Sequence, residues 1–252
     1  MMLLEDRVGA TAVLTLNHPE RRNALARPMR TDMIAAVERI EADRDVRAVV
    51  VTGANATFSA GGDITAMNAT DLAAGRERFR LSHQLVRLIV GGSKPYIAAV
   101  EGWAVGAGFG LALCCDTVVA ADNARFMAGF GKIGLIADFA LLHTLPRRVG
   151  EGRARQILLY NEPMDAAAAE RIGLIDHVVP AGTALNAAMQ RAAVFAEAAP
   201  LPVALTKSFF ARGLADALDL ERNMQATMFL TADHAEGKQA FLQKRPPKFH
   251  GV

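Results

Sequence analysis

Apolar runs alternate with amphipathic stretches along the first two thirds of the chain. The strongest run, Ala48–Gly53, is unbroken and β-branched, which is typical of a strand buried on both faces. Together with further apolar runs, it predicts strands at 12–17 (paired with residues near 3–8), 48–53, 95–100, 117–121 and 172–179. Apolar residues at helical spacing predict helices at 27–43 and 79–90, and residues 111–115 are predicted to continue a helix out of a glycine-rich turn. Because strands and helices alternate, we expect an α/β fold with parallel pairing through crossovers.

The pattern changes after Pro146. Alanine-rich segments predict helices over 151–170 and 183–199, and everything from Pro200 to Arg245 is predicted to be helical. We therefore expect a core over residues 1–199 and a carboxy-terminal helical region over 200–252. The polar stretch 68–78 is predicted to be mobile.

Composition narrows the class of protein. The chain has 252 residues, 52% hydrophobic and 21% charged, which is ordinary for a globular protein. A formal net charge of +2 with scattered basic residues argues against a nucleic-acid partner. The longest uncharged stretch, between Glu101 and Asp116, is shorter than the roughly 20 residues that cross a bilayer. We expect a cytoplasmic protein without a membrane span.

The two cysteines and the histidines carry no sign of a metal or disulfide framework. Cys114 and Cys115 are adjacent in an apolar run, which excludes a disulfide framework and favours a reducing compartment. The histidines show no metal-ligand spacing, so no metal site is predicted.

Two glycine-rich turns, Phe58–Ile64 and Gly102–Gly110, each follow an apolar strand and precede a predicted helix start. Unpaired N–H groups at a helix start attract negative charge. Two such starts aimed at one point would make a site for a negatively charged oxygen. The second turn lacks the G-x-G-x-x-G spacing of a dinucleotide site, and no Gly-Lys-Ser/Thr follows either turn.

Several motifs together resemble the crotonase (enoyl-CoA hydratase/isomerase) superfamily. In chain order they are LNHPERRNAL (16–25), FSAGGDI (58–64), KPYIAAVEG (94–102) and EGKQAFLQKRPP (236–247). The resemblance spans nearly the whole chain. It implies a crotonase-type spiral of ββα units, with carboxy-terminal helices that pack a homotrimer or a dimer of trimers.

The resemblance also implies a substrate and a binding site. The substrate is an acyl-CoA thioester, with no separate cofactor, and its carbonyl oxygen would accept hydrogen bonds from the backbone N–H groups of Gly62 and Ala107. The positions that match the family's CoA-binding residues are Arg22, Asn23, Ala24, Ala60, Ile64, Phe241 and Lys244. The last two belong to the helical region, which is thereby implied to cover the CoA as well as to build the oligomer.

The reaction is where this sequence departs from the hydratases of the family. Gly110 and Phe130 stand where those enzymes carry two glutamates, and neither residue can transfer a proton. Asp138 instead matches the single aspartate of the phenylacetate-pathway isomerase branch and of the 4-chlorobenzoyl-CoA dehalogenases. We expect Asp138 to carry a proton between two carbons. His83, Phe130 and Leu135 are the candidate residues of the acyl pocket.

The resemblance leaves four functions open. Isomerisation of an enoyl-CoA or a ring-type acyl-CoA is favoured because both hydratase glutamates are absent. Hydration through a rearranged site is the first alternative, and hydrolysis at an aromatic acyl-CoA by Asp138 and His83 is the second. A catalytically silent relative that binds acyl-CoA or RNA is the third.

Overall fold

The computed structural model describes all residues, 1–252. The strands are β1 (Leu3–Val8), β2 (Thr11–Leu16), β3 (Ala48–Gly53), β4 (Tyr96–Val100), β5 (Trp103–Val105), β6 (Thr117–Ala121), β7 (Arg125–Met127), β8 (Met164–Asp165) and β9 (His177–Val179). The helices are α1 (Arg27–Ala42), α2 (Leu72–Glu77), α3 (Phe79–Val90), α4 (Ala107–Cys114), α5 (Leu141–Tyr160), α6 (Ala166–Arg171), α7 (Ala184–Ala193), α8 (Pro200–Phe210), α9 (Leu214–Met228) and α10 (Ala232–Leu242).

A six-stranded sheet forms the centre, in the order β1-β2-β3-β4-β6-β9. β1 and β2 form an antiparallel hairpin, and every later neighbour pairs in parallel. Strand β3 is buried on both faces, as its sequence predicts. Val49 and Val51 join the large core cluster, whereas Ala48 and Val50 pack with alanines of α7 on the opposite face. The α/β class and the parallel crossovers are confirmed.

A second, three-stranded sheet in the order β5-β7-β8 lies beside the first. These strands of two or three residues are too short to show a periodic pattern, and the sequence does not predict them. A single bridge joins Ser59 of the first glycine turn to Ala104 of β5. The small sheet therefore brings the two turns together.

Several boundaries differ from the prediction. Residues 172–176 form a turn because Gly173 adopts a positive φ of 76°, so the predicted strand shortens to β9. The predicted helix over 151–170 ends at Asn161, whose φ is 51°. The stretch 68–78, whose predicted mobility stays a prediction, contains α2, which is capped by the Asp71 carboxylate and packs on α9 through Gly75.

The carboxy-terminal region consists of three helices, α8 to α10, followed by an extended tail from Pro246. It is tied to the core by a buried ammonium group, since Lys207 of α8 pairs with Asp116 and donates to the carbonyl of Ile89. The boundary near residue 200 as a domain limit stays a prediction. None of the helices has the length and apolar character needed to cross a bilayer.

Helix α4 packs unusually closely on the chain just before α5. A Cβ atom added to Gly110 would lie 2.7 Å from the Cβ of Phe139 and 2.9 Å from its carbonyl oxygen. No real Cβ contact is that short, and the carbonyl is backbone that cannot rotate away. The 138–139 segment therefore fills the space that a side chain at position 110 would need.

Replacing Gly110 with alanine is expected to lower the free energy of unfolding by about 1–3 kcal/mol, because it overpacks this contact. Gly152, an exposed residue of helix α5 with open space around it, is the matched control. Gly152→Ala is expected to stabilise slightly, by up to about 1 kcal/mol. Denaturant unfolding of the two variants checks both values. Equal stability of the two variants would contradict the packing described here.

Candidate functional site

The two glycine turns touch through their backbones. Gly61 has a φ of 93°, and a Cβ there would lie 2.5 Å from the carbonyl oxygen of Val105. A Cβ on Gly108 would lie 2.6 Å from the carbonyl oxygen of Ser59. Glycine at both positions is therefore what allows the turns to approach each other.

This approach leaves two N–H groups beside one cavity. Gly62 N–H has no hydrogen-bond partner in the protein, and Ala107 is the first residue of α4, where an N–H has no intrahelical acceptor. Both residues line the same cavity. A helix start at both turns was predicted, but the first turn opens only a three-residue 3-10 helix, Ile64–Ala66, capped by Asp63. The helix dipole thus acts from α4 alone.

A buried asparagine holds the first turn in place. The Asn23 side chain accepts from His18 N–H and donates to the carbonyls of Ala54 and Thr57, at 2.7–2.9 Å. Its own carbonyl accepts from the Ser59 hydroxyl at 2.8 Å. Because every polar atom of this amide is engaged within the protein, the structure gives Asn23 a role in building the turn.

Gly62 and Ala107 face a cavity of about 440 Å³ that also contains Asp138. The apolar part of its wall comes from residues just before α1, the short 3-10 helix after the first turn, α2, α3, the segment before α5 and the end of α9. These residues are Leu25, Ala26, Ala66, Met67, Ala74, Phe79, Leu81, Phe139 and Phe229. The two unpaired donors and the Asp138 carboxyl group therefore border one cavity, which Asp63 and Glu77 also line.

The environment of Asp138 favours its neutral form. Oδ1 is inaccessible to solvent and accepts no hydrogen bond, while Oδ2 lies 3.5 Å from Nε2 of Gln225. Burial and the nearby Glu221 carboxyl raise the pKa of Asp138 to about 7, against the opposing effect of Arg30. A carboxyl group with such a pKa can both take and return a proton near neutral pH.

Two buried side chains of α9 hold the segment that carries Asp138. Glu221 accepts from the N–H groups of Phe139 and Ala140 at 3.0 and 2.9 Å, and both of these residues have a φ of 57°. One turn further along α9, the Gln225 amide makes two hydrogen bonds to the backbone of Ile136. Burial raises the pKa of Glu221 to about 8, and the hydrogen bonds from these two N–H groups oppose that effect.

His83 lies behind this site rather than in it. The ring is 2% exposed, its Nε2 lies 2.9 Å from Glu221, and it does not line the Asp138 cavity. Burial and the nearby Arg87 lower the pKa of His83 to about 4, so the ring is neutral at physiological pH. The neutral ring is thus a third hydrogen-bond partner of the Glu221 carboxyl group.

The remaining predicted residues lie outside this cavity. Phe130 and Leu135 are buried but do not line it, and the Phe130 ring instead lies against Gly106 of the second turn. Arg22, Phe241 and Lys244 are exposed, and Ala60 and Ile64 are half-buried near the first turn. Ala24 is buried. Their contacts with CoA stay predictions. No group of three or more metal-ligating side chains is placed to hold a metal ion.

A family model described as enoyl-CoA hydratase/isomerase matches residues 6–252. The chain belongs to this family. The 2,3-dehydroadipyl-CoA hydratase of Escherichia coli is 36% identical, over 99% of this chain and 98% of that protein. The 1,2-epoxyphenylacetyl-CoA isomerase of the same organism is 38% identical, over 94% of both chains.

The fold comparison agrees with the family. A crystal structure of an enoyl-CoA hydratase from Mycobacterium avium subsp. paratuberculosis matches with a TM-score of 0.89 and 31% identity, over 99% of each chain. The predicted crotonase-type fold is confirmed. Within the family, hydratases and an isomerase stand at similar identity to this chain, so identity alone does not select between the two reactions.

The sequence does not indicate four residues of the site: Arg30, Arg78, Glu221 and Gln225. Glu221 and Gln225 follow Leu214 and Leu218 at helical spacing, so their position on the buried face of α9 was readable. Their contact with the Asp138 segment cannot be predicted from the sequence, because that segment lies more than eighty residues earlier in the chain.

Replacing Glu221 with glutamine is expected to lower stability and to shift the pH dependence of activity. A glutamine has one acceptor oxygen where Glu221 has two, so one of the Phe139 and Ala140 N–H groups loses its partner, which costs about 1–3 kcal/mol. Loss of the neighbouring carboxyl lowers the pKa of Asp138, so the rise of kcat/KM with pH moves to lower pH. Unfolding and pH–rate measurements check both effects.

The control is Asp219→Asn, an exposed change on the same helix, which is expected to leave the pH midpoint in place. A Glu221→Gln variant with the wild-type pH profile would contradict the coupling between the two carboxyl groups.

Proposed function

We propose that the protein isomerises an acyl-CoA, either an enoyl-CoA or a ring-type acyl-CoA, through a thioester enolate. One observation carries the proposal: Asp138, with its pKa raised to about 7, shares a cavity with the unpaired N–H groups of Gly62 and Ala107. This places a base and two hydrogen-bond donors in one cavity. Such a combination suits proton removal beside a thioester carbonyl.

In the proposed reaction, the two N–H groups donate to the thioester oxygen. Asp138 takes a proton from the substrate, the C–H electron pair moves into the enolate, and negative charge develops on that oxygen. The donors stabilise this charge, and losing one such donor typically costs about 2.7–4 kcal/mol. Asp138 then returns the proton at a different carbon, so the double bond shifts and no water is consumed. The CoA thioester is the substrate, and this chemistry requires no separate cofactor.

The packing at Gly110 supports isomerisation over hydration. The Asp138–Phe139 backbone occupies the space that a glutamate side chain at position 110 would need, so this fold of the segment and a glutamate there exclude each other. The 38% identical relative named 1,2-epoxyphenylacetyl-CoA isomerase is consistent with a proton-moving site. His83 is hydrogen-bonded to Glu221 outside the cavity, which gives no support to an aryl-ester hydrolysis.

Turnover in water labelled with ¹⁸O tests the proposal. Purified protein is incubated with 2-enoyl-, 3-enoyl- and phenylacetyl-type CoA thioesters, and the products are examined by mass spectrometry. We expect a product that has the mass of its substrate and contains no ¹⁸O. Asp138→Asn is expected to slow this conversion by about 10²–10⁴-fold, the usual contribution of a general base.

Incorporation of ¹⁸O into a hydroxyacyl-CoA would replace the proposal with hydration. Thioester binding without any turnover would indicate a silent relative. Asp63→Asn is the matched control, because Asp63 also borders the cavity but its carboxylate caps the short 3-10 helix.

We also propose that the chain forms a homotrimer or a dimer of trimers through its carboxy-terminal helices. The support is a set of large apolar side chains that are 43–73% exposed on the single chain: Leu201, Leu205, Phe209, Phe210, Leu220, Met224, Leu230, Phe241 and Leu242. Sedimentation equilibrium should give a mass three or six times 26.9 kDa. A monomeric mass at micromolar concentration would contradict it.

A further inference from the structure

We propose that the cavity binds a carboxylate on the acyl chain, so that the substrate is an acyl-CoA with a second acid group remote from the thioester. The inference rests on the proposed function only in taking an acyl-CoA as the ligand. It is carried by two arginines, Arg30 of α1 and Arg78 between α2 and α3, which both line the cavity with Asp138.

Arg30 has no anionic partner. Its only side-chain hydrogen bond is from Nη1 to the Ser82 hydroxyl at 2.6 Å, and its Nε is buried without any partner. No carboxylate lies within 4.0 Å of the guanidinium group. Burial lowers the pKa of Arg30, which reflects the cost of keeping this charge away from water.

Arg78 also has no anionic partner. Its Nη1 donates to the carbonyls of Ala66 and Asn68 at 2.6 and 3.3 Å, and its guanidinium carbon lies 5.1 Å from the centre of the Phe229 ring. These partners carry no formal charge. Its Nε is also buried and unpaired.

The charge of Arg78 disfavours the charged form of Arg30. Arg78 and Arg27 both lower the pKa of Arg30, and the carboxyl that opposes this effect is Asp138, which forms no ion pair with either arginine. Unpaired buried donors and like charges in one place are costly unless an anion completes them. An arginine fork presents parallel N–H groups that match a carboxylate.

The anion could come from the acyl chain or from the CoA phosphates. The cavity wall favours the acyl chain, because the arginines share the space with Asp138 and the two unpaired N–H groups, where the thioester and acyl carbons must lie. The exposed basic residues at the positions expected to meet CoA, Arg22 and Lys244, do not line this cavity. Arg27 and Arg80 also line the cavity but are exposed, whereas Arg30 and Arg78 are half-buried.

Calorimetric binding of two unreactive thioesters tests the inference. Adipoyl-CoA and hexanoyl-CoA have acyl chains with the same number of carbons and differ by the terminal carboxylate. We expect the wild type to bind adipoyl-CoA more tightly by about tenfold to a hundredfold, the usual range for a hydrogen bond to a charged group. Arg30→Met and Arg78→Met should each abolish most of this preference, whereas Arg30→Lys should keep part of it.

Arg39→Met is the matched control. Arg39 lies on the same helix as Arg30 but forms an exposed ion pair with Glu5, so this variant should keep the wild-type preference. A wild type that does not prefer adipoyl-CoA overturns the inference. So does an equal loss of affinity for both thioesters in Arg30→Met, which would assign the arginines to the phosphates of CoA.

Because neither thioester can isomerise to a product, the binding result is independent of the proposed reaction. A preference for adipoyl-CoA without isomerisation of any enoyl-CoA would retain the carboxylate site and reject the isomerase. Isomerisation of thioesters with uncharged acyl chains, without a preference for adipoyl-CoA, would retain the isomerase and reject the carboxylate site. Failure to bind either thioester would reject both.

Discussion

The contact between two backbone turns is the constraint on which the rest of this site depends. Gly61 and Gly108 bring peptide groups to distances that any Cβ would prevent, and the Ser59–Ala104 bridge fixes their alignment. With the turns in contact, the N–H groups of Gly62 and Ala107 border one cavity instead of two. The preorganised donors cost no rearrangement when charge develops on a bound oxygen.

The carboxyl group of the site is positioned by a second constraint, and this one comes from the far end of the chain. Phe139 and Ala140 both occupy the left-handed region, which costs roughly 1–2 kcal/mol for each residue with a side chain. Glu221 accepts both of their N–H groups and thereby offsets this strain. Helix α9 of the carboxy-terminal region therefore positions the segment that carries Asp138, in addition to any role in assembly.

The sequence predicted the features that depend on local pattern or on a family resemblance. The buried strands, the hairpin of β1 and β2, and the glycine turns all follow from short stretches of residues. The pairing of Glu221 with the 139–140 turn depends instead on where two distant segments meet, so no local sequence pattern predicts it. The unpaired state of Arg30 is equally invisible, because an arginine on a helix is usually solvated until the fold shows otherwise.

Gly110 has a meaning in the sequence and a second meaning in the structure. In the sequence it is a missing glutamate, which argues only that one reaction is disfavoured. In the structure it is the contact that admits the Asp138–Phe139 segment to the cavity wall. The absence of a glutamate at position 110 and the presence of Asp138 at the cavity wall are thus both consistent with the same packing contact.

Hydrogen exchange at the carbon next to the thioester tests the central claim. This claim is that the two turns and Asp138 together convert a bound thioester to its enolate. A saturated acyl-CoA, which cannot isomerise, is incubated with the protein in heavy water and followed by NMR. The account predicts that wild type exchanges the hydrogen and that Asp138→Asn, folded and able to bind the thioester, loses the exchange. Exchange at the wild-type rate in that variant would contradict it, as would the absence of exchange in the wild type.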